Sequence, residues 1–188
     1  EASATSYLLI DAYDVESGET GIEAYNNGGG SLTVYANTVT AGEIGIDAEN
    51  RGSGALTIKT TGAVIGDRVD DEHEGILANN KSSGTDLTIE ATAVTGYVGI
   101  DANNDGSGAL SITTTGTVTG NGADGINAYN SANGKVLKVI ANNVDGSDRG
   151  VRSKNYANDD QRIEIRGNVE AAEEGVLSKQ SGNGDVII

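Results

Sequence analysis

Hydrophobic residues in this chain come in short runs of apolar-x-apolar, separated by clusters of Gly, Asn and Ser. One phrase recurs, Gly-Ile-x-Ala-x-Asn. It begins at Gly21, Gly45, Gly75, Gly99 and Gly125, then returns in looser form at Gly150 and Gly175. Successive starts lie 24, 30, 24, 26, 25 and 25 residues apart. Self-similarity at a period between about 20 and 50 residues marks a repeat architecture.

Aligning the chain on that phrase exposes two further columns. An apolar-x-apolar pair follows each Gly: Leu32 and Val34, Leu56 and Ile58, Leu87 and Ile89, Leu110 and Ile112, Leu137 and Val139, Ile163 and Ile165, Val186 and Ile188. A lone valine comes next, at Val39, Val64, Val94, Val118, Val144 and Val169, and Leu8, Ile10 and Val15 fit the same frame one period earlier. Each segment alternates with period two, which in a strand sends successive side chains to opposite faces. The runs are too short for amphipathic helices and are bounded by turn-forming residues.

Three strands per period, stacked period upon period, predict an all-β chain. The expected fold is a right-handed parallel β-helix of about seven coils of 24–30 residues. The hand follows from the long, variable coil, because left-handed β-helices are built from rigid hexapeptides that this chain lacks. Asn26, Asn50, Asn80, Asn104, Asn130 and Asn155, followed by Gln180, share one position in successive coils. Stacked amides there predict a hydrogen-bonded ladder at a buried bend, with Gly expected to turn the corner beside it. The last residues, 185–188, stop on the second strand of a coil. An uncapped solenoid end predicts end-to-end self-association or a frayed coil.

Composition supports a thin interior. The 188 residues contain seven Tyr but no Phe, Trp, Met, Pro or Cys. Such a core, built from Ile, Val, Leu and Ala, suits a solenoid in which each coil packs only on its neighbours. Without cysteine there is no disulfide framework and no thiolate metal site, and no apolar run is long enough to predict a membrane-inserted helix.

The formal net charge is −16 and is unevenly placed. Residues 1–130 carry 19 acids and 4 bases, whereas residues 131–188 carry 9 acids and 8 bases. An acidic surface of this density makes nucleic acid and anionic lipid poor partners.

The cadence of Gly45-Ile-Asp-Ala-Glu-Asn-Arg-Gly-Ser-Gly-Ala-Leu-Thr-Ile, repeated from Gly99 as Gly-Ile-Asp-Ala-Asn-Asn-Asp-Gly-Ser-Gly-Ala-Leu-Ser-Ile, resembles passenger domains of Gram-negative autotransporters. The likeness is greatest to Bartonella-type passengers, a proangiogenic one among them. It implies that residues 1–188 form a single β-helical fragment of a longer passenger, with the signal peptide and outer-membrane barrel lying outside it. It implies a secreted or surface-exposed virulence factor without enzymatic activity or cofactor, acting as an adhesin or as a receptor ligand on host cells or matrix. An endothelial growth-factor-like action is its sharpest form.

Several residue sets compete as sites. Asp67, Asp70, Asp71, Glu72, His73 and Glu74 interrupt the repeat and are candidate cation ligands or a recognition loop. The cationic residues Lys138, Arg152, Lys154, Arg162, Arg166 and Lys179 crowd the last coils and are candidate partner contacts. Glu23, Asp47 and Asp101 form an outward column that raises the alternative of a polysaccharide-cleaving β-helix. Leu77 sets Asp47 and Asp101 about two layers, or roughly 10 Å, apart. The hydroxyls of Thr33, Thr57, Thr88 and Ser111 read as an outward ladder expected to break at Lys138 and Glu164. An inert stalk displaying another domain is the remaining alternative.

Overall fold

A computed structural model describes residues 7–66 and 73–188 of the chain. Among these residues every regular element is a strand, each two to five residues long, and none is a helix. The strands form three parallel sheets of eight, seven and seven strands. In each sheet a strand's neighbour is the strand three places along the chain, so the backbone winds through all three sheets once per coil. This is the parallel β-helix of about seven coils that the spacing predicts. At an inter-strand spacing of about 4.8 Å the rod is roughly 35 Å long.

The sheets are named here by their inward residue. The Leu sheet stacks Leu8, Leu32, Leu56, Leu87, Leu110 and Leu137 in register. The Val sheet stacks Val15, Val39, Val64, Val94, Val118, Val144 and Val169. The Ile sheet stacks Ile22, Ile46, Ile76, Ile100 and Ile126, then Val151 and Val176. Alternation sends these side chains inward, and from Leu32 through Val139 the aliphatic residues of these columns are almost wholly excluded from solvent. At about 25 cal/mol per Å² of apolar surface removed from water, this interior supplies the main favourable term of folding.

At the end of each Ile-sheet strand the asparagines form the expected ladder. Asn26 Nδ2 donates to Asn50 Oδ1 at 2.8 Å, and the pattern repeats through Asn80, Asn104, Asn130 and Asn155 at 2.9–3.0 Å. Each amide also donates to a carbonyl of its own turn, such as Gly54 for Asn50 and Gly108 for Asn104. The carboxamide oxygens of Asn50 and Asn155 accept the backbone N–H two residues on. A buried amide left unpaired costs about 1–3 kcal/mol, so the ladder removes that cost at each bend from Asn26 to Asn155.

The structure corrects two expectations and gives a third its physical cause. The repeated glycines turn the chain without a left-handed backbone, since no described glycine has positive φ. They serve by close approach: a Cβ on Gly45 would lie 2.5 Å from the Gly75 carbonyl oxygen and 2.7 Å from Val64 Cγ1. In the sixth coil, Gln161 rather than Ile163 occupies the Leu position, and Ile163 lies opposite Val139. A two-residue shift keeps the same side chains facing inward, so alternation alone does not detect it. Finally, the ladder ends at Asn155. Gln180, one methylene longer, turns its Nε2 onto the carbonyls of Ala157 and Asp159 instead.

Candidate partner-binding face

The outer face of the Ile sheet carries two side-chain columns, at the third and fifth positions of the repeated phrase. Both change character along the rod. At the N-terminal end they hold Glu23 and Tyr25, then Asp47 and Glu49. At the other end they hold Asn127 and Tyr129, Arg152 and Lys154, then Leu177 and Lys179. Parallel register places each pair on the strand next to the last, so a change of composition in the repeat becomes a gradient along one surface.

In the acidic half the groups are mutually engaged. The Tyr25 hydroxyl donates to Asp47 Oδ2 at 2.5 Å, and this bond to a carboxylate pushes the phenol well above its usual range. Burial raises the Asp47 carboxyl, against the relief given by Tyr25. Burial also works against the charge of Glu49, yet Lys81, at 3.0 Å, and Arg51 hold its carboxyl below the ordinary value. Asp101 is raised by burial while its Oδ1 accepts from Asn103 at 3.1 Å and Asn127 at 3.0 Å. Asp47 and Asp101 both lie opposite Leu77, which confirms their two-layer separation.

The metal candidates fall mostly elsewhere. Asp67, Asp70, Asp71 and Glu72 lie outside the described residues. The His73 carbonyl accepts from Tyr97 N–H at 2.7 Å, and the Glu74 carbonyl from Gly45 N–H at 3.1 Å. Burial raises the Glu74 carboxyl. Among the described residues no group of three or more His, Cys, Asp or Glu side chains is placed to hold a metal ion.

Of the six basic candidates Arg152, Lys154 and Lys179 lie on the Ile sheet, Lys138 and Arg162 on the Leu sheet, and Arg166 just beyond the Leu-sheet strand. Lys138 and Arg162 are opposite each other on the Leu sheet, where they continue the Thr33, Thr57, Thr88, Ser111 column. That column therefore passes to Arg162, and Glu164 sits in the next one, opposite Ile140. Arg162 and Arg166 both bind Glu164, at 2.7 and 2.9 Å, and Arg162 is the larger influence lowering its carboxyl. On the Ile sheet Arg152 binds Asp124 at 2.9 Å. Asp124 is only 3% exposed and also meets Arg149 at 3.3 Å. Arg149 reaches on to Glu173 at 2.8 Å and Glu174 at 2.9 Å, tying three successive coils together.

Lys138, Lys154 and Lys179 have no salt bridge among the described residues, and of these Lys154 and Lys179 share the Ile sheet. They are directly opposite on adjacent strands, below Tyr129 in the same column, and neither forms a salt bridge among the described residues. Tyr156 flanks them: its ring centroid is 5.5 Å from that of Tyr129, tilted by 46°, and Lys179 Nζ lies 5.6 Å from its centroid. Two aromatic rings and two ammonium groups thus share one face. The tyrosines and Asp124 do not emerge from the sequence as site residues. The available signal was positional: Tyr129 precedes a ladder Asn, Tyr156 follows one, and Asp124 precedes the repeated Gly.

Open depressions elsewhere lie on the outer face of the Val sheet and at the turns. One of about 410 Å³, between the Ile and Leu sheets, includes Asn158, Asp160, Asn183 and Asp185. Its side chains bind neighbouring backbone, with Asp160 Oδ1 accepting from Asp185 N–H at 2.9 Å. Comparison with protein-family models, with curated proteins and with solved structures returned no match.

Proposed function

We propose that this chain is a segment of a secreted or cell-surface autotransporter passenger that binds host cells without catalysis, as a receptor ligand or adhesin. Its contact face is the Ile sheet in the last three coils. The observation that carries this reading is the reversal along one rigid surface, from Glu23, Asp47 and Glu49 to Arg152, Lys154 and Lys179. A rigid parallel sheet presents such side chains without a backbone ordering cost on binding, and charge contrast steers the encounter with an anionic surface. The resemblance of the repeats to Bartonella-type passengers supports host endothelium as the cell to test first.

The test is binding of the 188-residue chain to cultured human endothelial cells, alongside Lys154→Glu/Lys179→Glu. Loss of binding in the double variant is expected. Equal binding by both proteins would overturn the assignment of the face. Failure of the unaltered chain to bind or stimulate any cell would favour the stalk.

A further inference from the structure

The Lys154–Lys179 pair is the least explained feature of the surface. Like charges directly opposite on neighbouring strands destabilise a sheet. Seven of the other nine described bases are held by a carboxylate, Lys135 and Lys138 being the exceptions. Lys59 has Glu90 opposite it at 3.0 Å, Arg162 holds Glu164, and Arg149 and Arg152 share Asp124. In a chain of 28 acids and 12 bases, a cross-strand pair of lysines with no carboxylate partner among the described residues is a place where an external anion completes the electrostatics.

The surroundings narrow the chemistry of that anion. The two lysines stand on adjacent strands whose backbones are about one layer, or 4.8 Å, apart along the rod. Tyr129 and Tyr156 sit next to them with rings tilted against each other, so the site offers apolar ring surface as well as charge. Tyrosine carries a large apolar face and a polar edge, a combination suited to the C–H faces and hydroxyls of a pyranose ring. Rows of identical spacing favour a linear polymer with repeating charges. The face is an open sheet without a wall to enclose a small molecule. Lys135 and Lys138, outside this face, also lack a salt bridge among the described residues, and Lys138 stands opposite Arg162, but no aromatic ring pair accompanies either.

We infer that Tyr129, Lys154, Tyr156 and Lys179 form a binding site for a linear acidic polysaccharide lying along the rod, its sulfate or carboxylate groups on the two lysines and its rings against the two tyrosines. This deepens the cell-binding reading above and rests on the same face. Carboxylate and sulfate are two sources of the same negative charge, and both are compatible with ammonium groups held by flexible stems.

The experiment measures binding of the 188-residue chain to three immobilised glycans: heparin, an unsulfated polyuronate and neutral dextran. Binding to at least one acidic glycan, none to dextran, and weakening as salt is raised are expected. Heparin alone would assign sulfate, and polyuronate binding as well would assign carboxylate too. Lys154→Glu/Lys179→Glu should weaken binding more than tenfold, and Tyr156→Ala severalfold. Lys135→Glu/Lys138→Glu, on other surfaces, should change it less than twofold. Hydrogen exchange of the Asn-ladder amides, unchanged in each variant, shows that the rod is intact. Acidic-glycan binding that survives the Lys154/Lys179 reversal overturns the inference, as does absence of any acidic-glycan binding. Cell binding that depends on Lys154 and Lys179 but persists after enzymatic removal of cell-surface acidic glycans also overturns it, while leaving the cell-binding face standing.

Discussion

The fourth coil and the sixth have the same backbone path and different interiors. Between Gly99 and Asp124 the inward residues are Ile100, Ala102, Asn104, Leu110, Ile112, Thr114 and Val118, all buried. Between Gly150 and Glu174 the equivalent places hold Val151, Ser153, Asn155, Gln161, Ile163, Ile165 and Val169. Ser153 and Gln161 are fully buried and bonded to each other, Gln161 Nε2 donating to Ser153 Oγ, while Gln161 Oε1 has no partner. The parallel ladder and the Asn column carry the coil through this polar patch. Backbone hydrogen bonding sets the shape of each layer, and apolar filling sets how strongly it is held. The basic outer face sits on the coils whose interior is least apolar.

Deleting filling should separate the two regions most. Ile112→Ala in the fourth coil removes a side chain with no solvent exposure and should cost about 2–5 kcal/mol in urea unfolding. Ile165→Ala in the sixth, where the side chain is only partly buried, should cost less than half as much. Equal losses would show that the Ile165 position is as tightly packed as the Ile112 position.

Next in size is the ladder. Asn104→Ala leaves Asn80 Nδ2 without its ladder acceptor and Asn130 Oδ1 without a donor, and removes one of the two donors to the Gly108 carbonyl. A loss of about 2–3 kcal/mol is expected from those orphaned groups. Gln180→Ala breaks only bonds to the Ala157 and Asp159 carbonyls at the last bend and should cost under about 1 kcal/mol. A comparable penalty at both sites would mean that the ladder continues into the seventh coil.

The ladder also shows where sequence reading succeeds and where it stops. A column of identical residues at a fixed period states its own register, so the coil number, the three strands and Asn26 through Asn155 were legible. Gln161 was not, because a polar residue in an apolar column is passed over in favour of the nearest apolar pair, Ile163 and Ile165. The basic cluster was legible as composition only. Its division depends on which carboxylate each cation finds in space: Asp124 is 25 residues from Arg149, and Glu164 is two from Arg162. Spacing gave no account of the crowding at the glycines either, because it comes from the next coil's glycine carbonyl and from the valine across the same coil.

A smaller, opposite effect is expected from repairing the sixth coil. Ser153→Ala with Gln161→Leu restores the columns seen in the other coils and removes the unpaired Gln161 oxygen together with its partner. Replacing both members of a buried polar pair by apolar groups of fitting shape is neutral or stabilising, here by about 1 kcal/mol. A gain seen as a higher urea midpoint would confirm that the polar pair weakens this region. A loss would mean that the Leu side chain does not fit against Val151 and Ile163.

The least effect lies at the seam between the acidic and basic halves, at Asp101. Burial raises its carboxyl in the folded chain, ahead of the relief from Asn103, Asn127 and Arg152. The folded chain therefore holds this proton to higher pH than the unfolded one. Its contribution is greatest below the ordinary aspartate value, about 3.9, and is lost as pH rises through the folded value. Asp101→Asn does not titrate, so relative to the unaltered chain its urea midpoint should be slightly higher at pH 7 and converge as pH falls toward the aspartate range. Glu49→Gln, at a carboxyl held down by Lys81 and Arg51, should show the reverse: a lower midpoint at pH 7 that recovers on acidification. A fall in midpoint at pH 7 for Asp101→Asn would mean that its attraction to Arg152 exceeds the cost of burial. Asp101 would then belong electrostatically to the basic half, and the boundary between the two regions would move one coil toward the N-terminus.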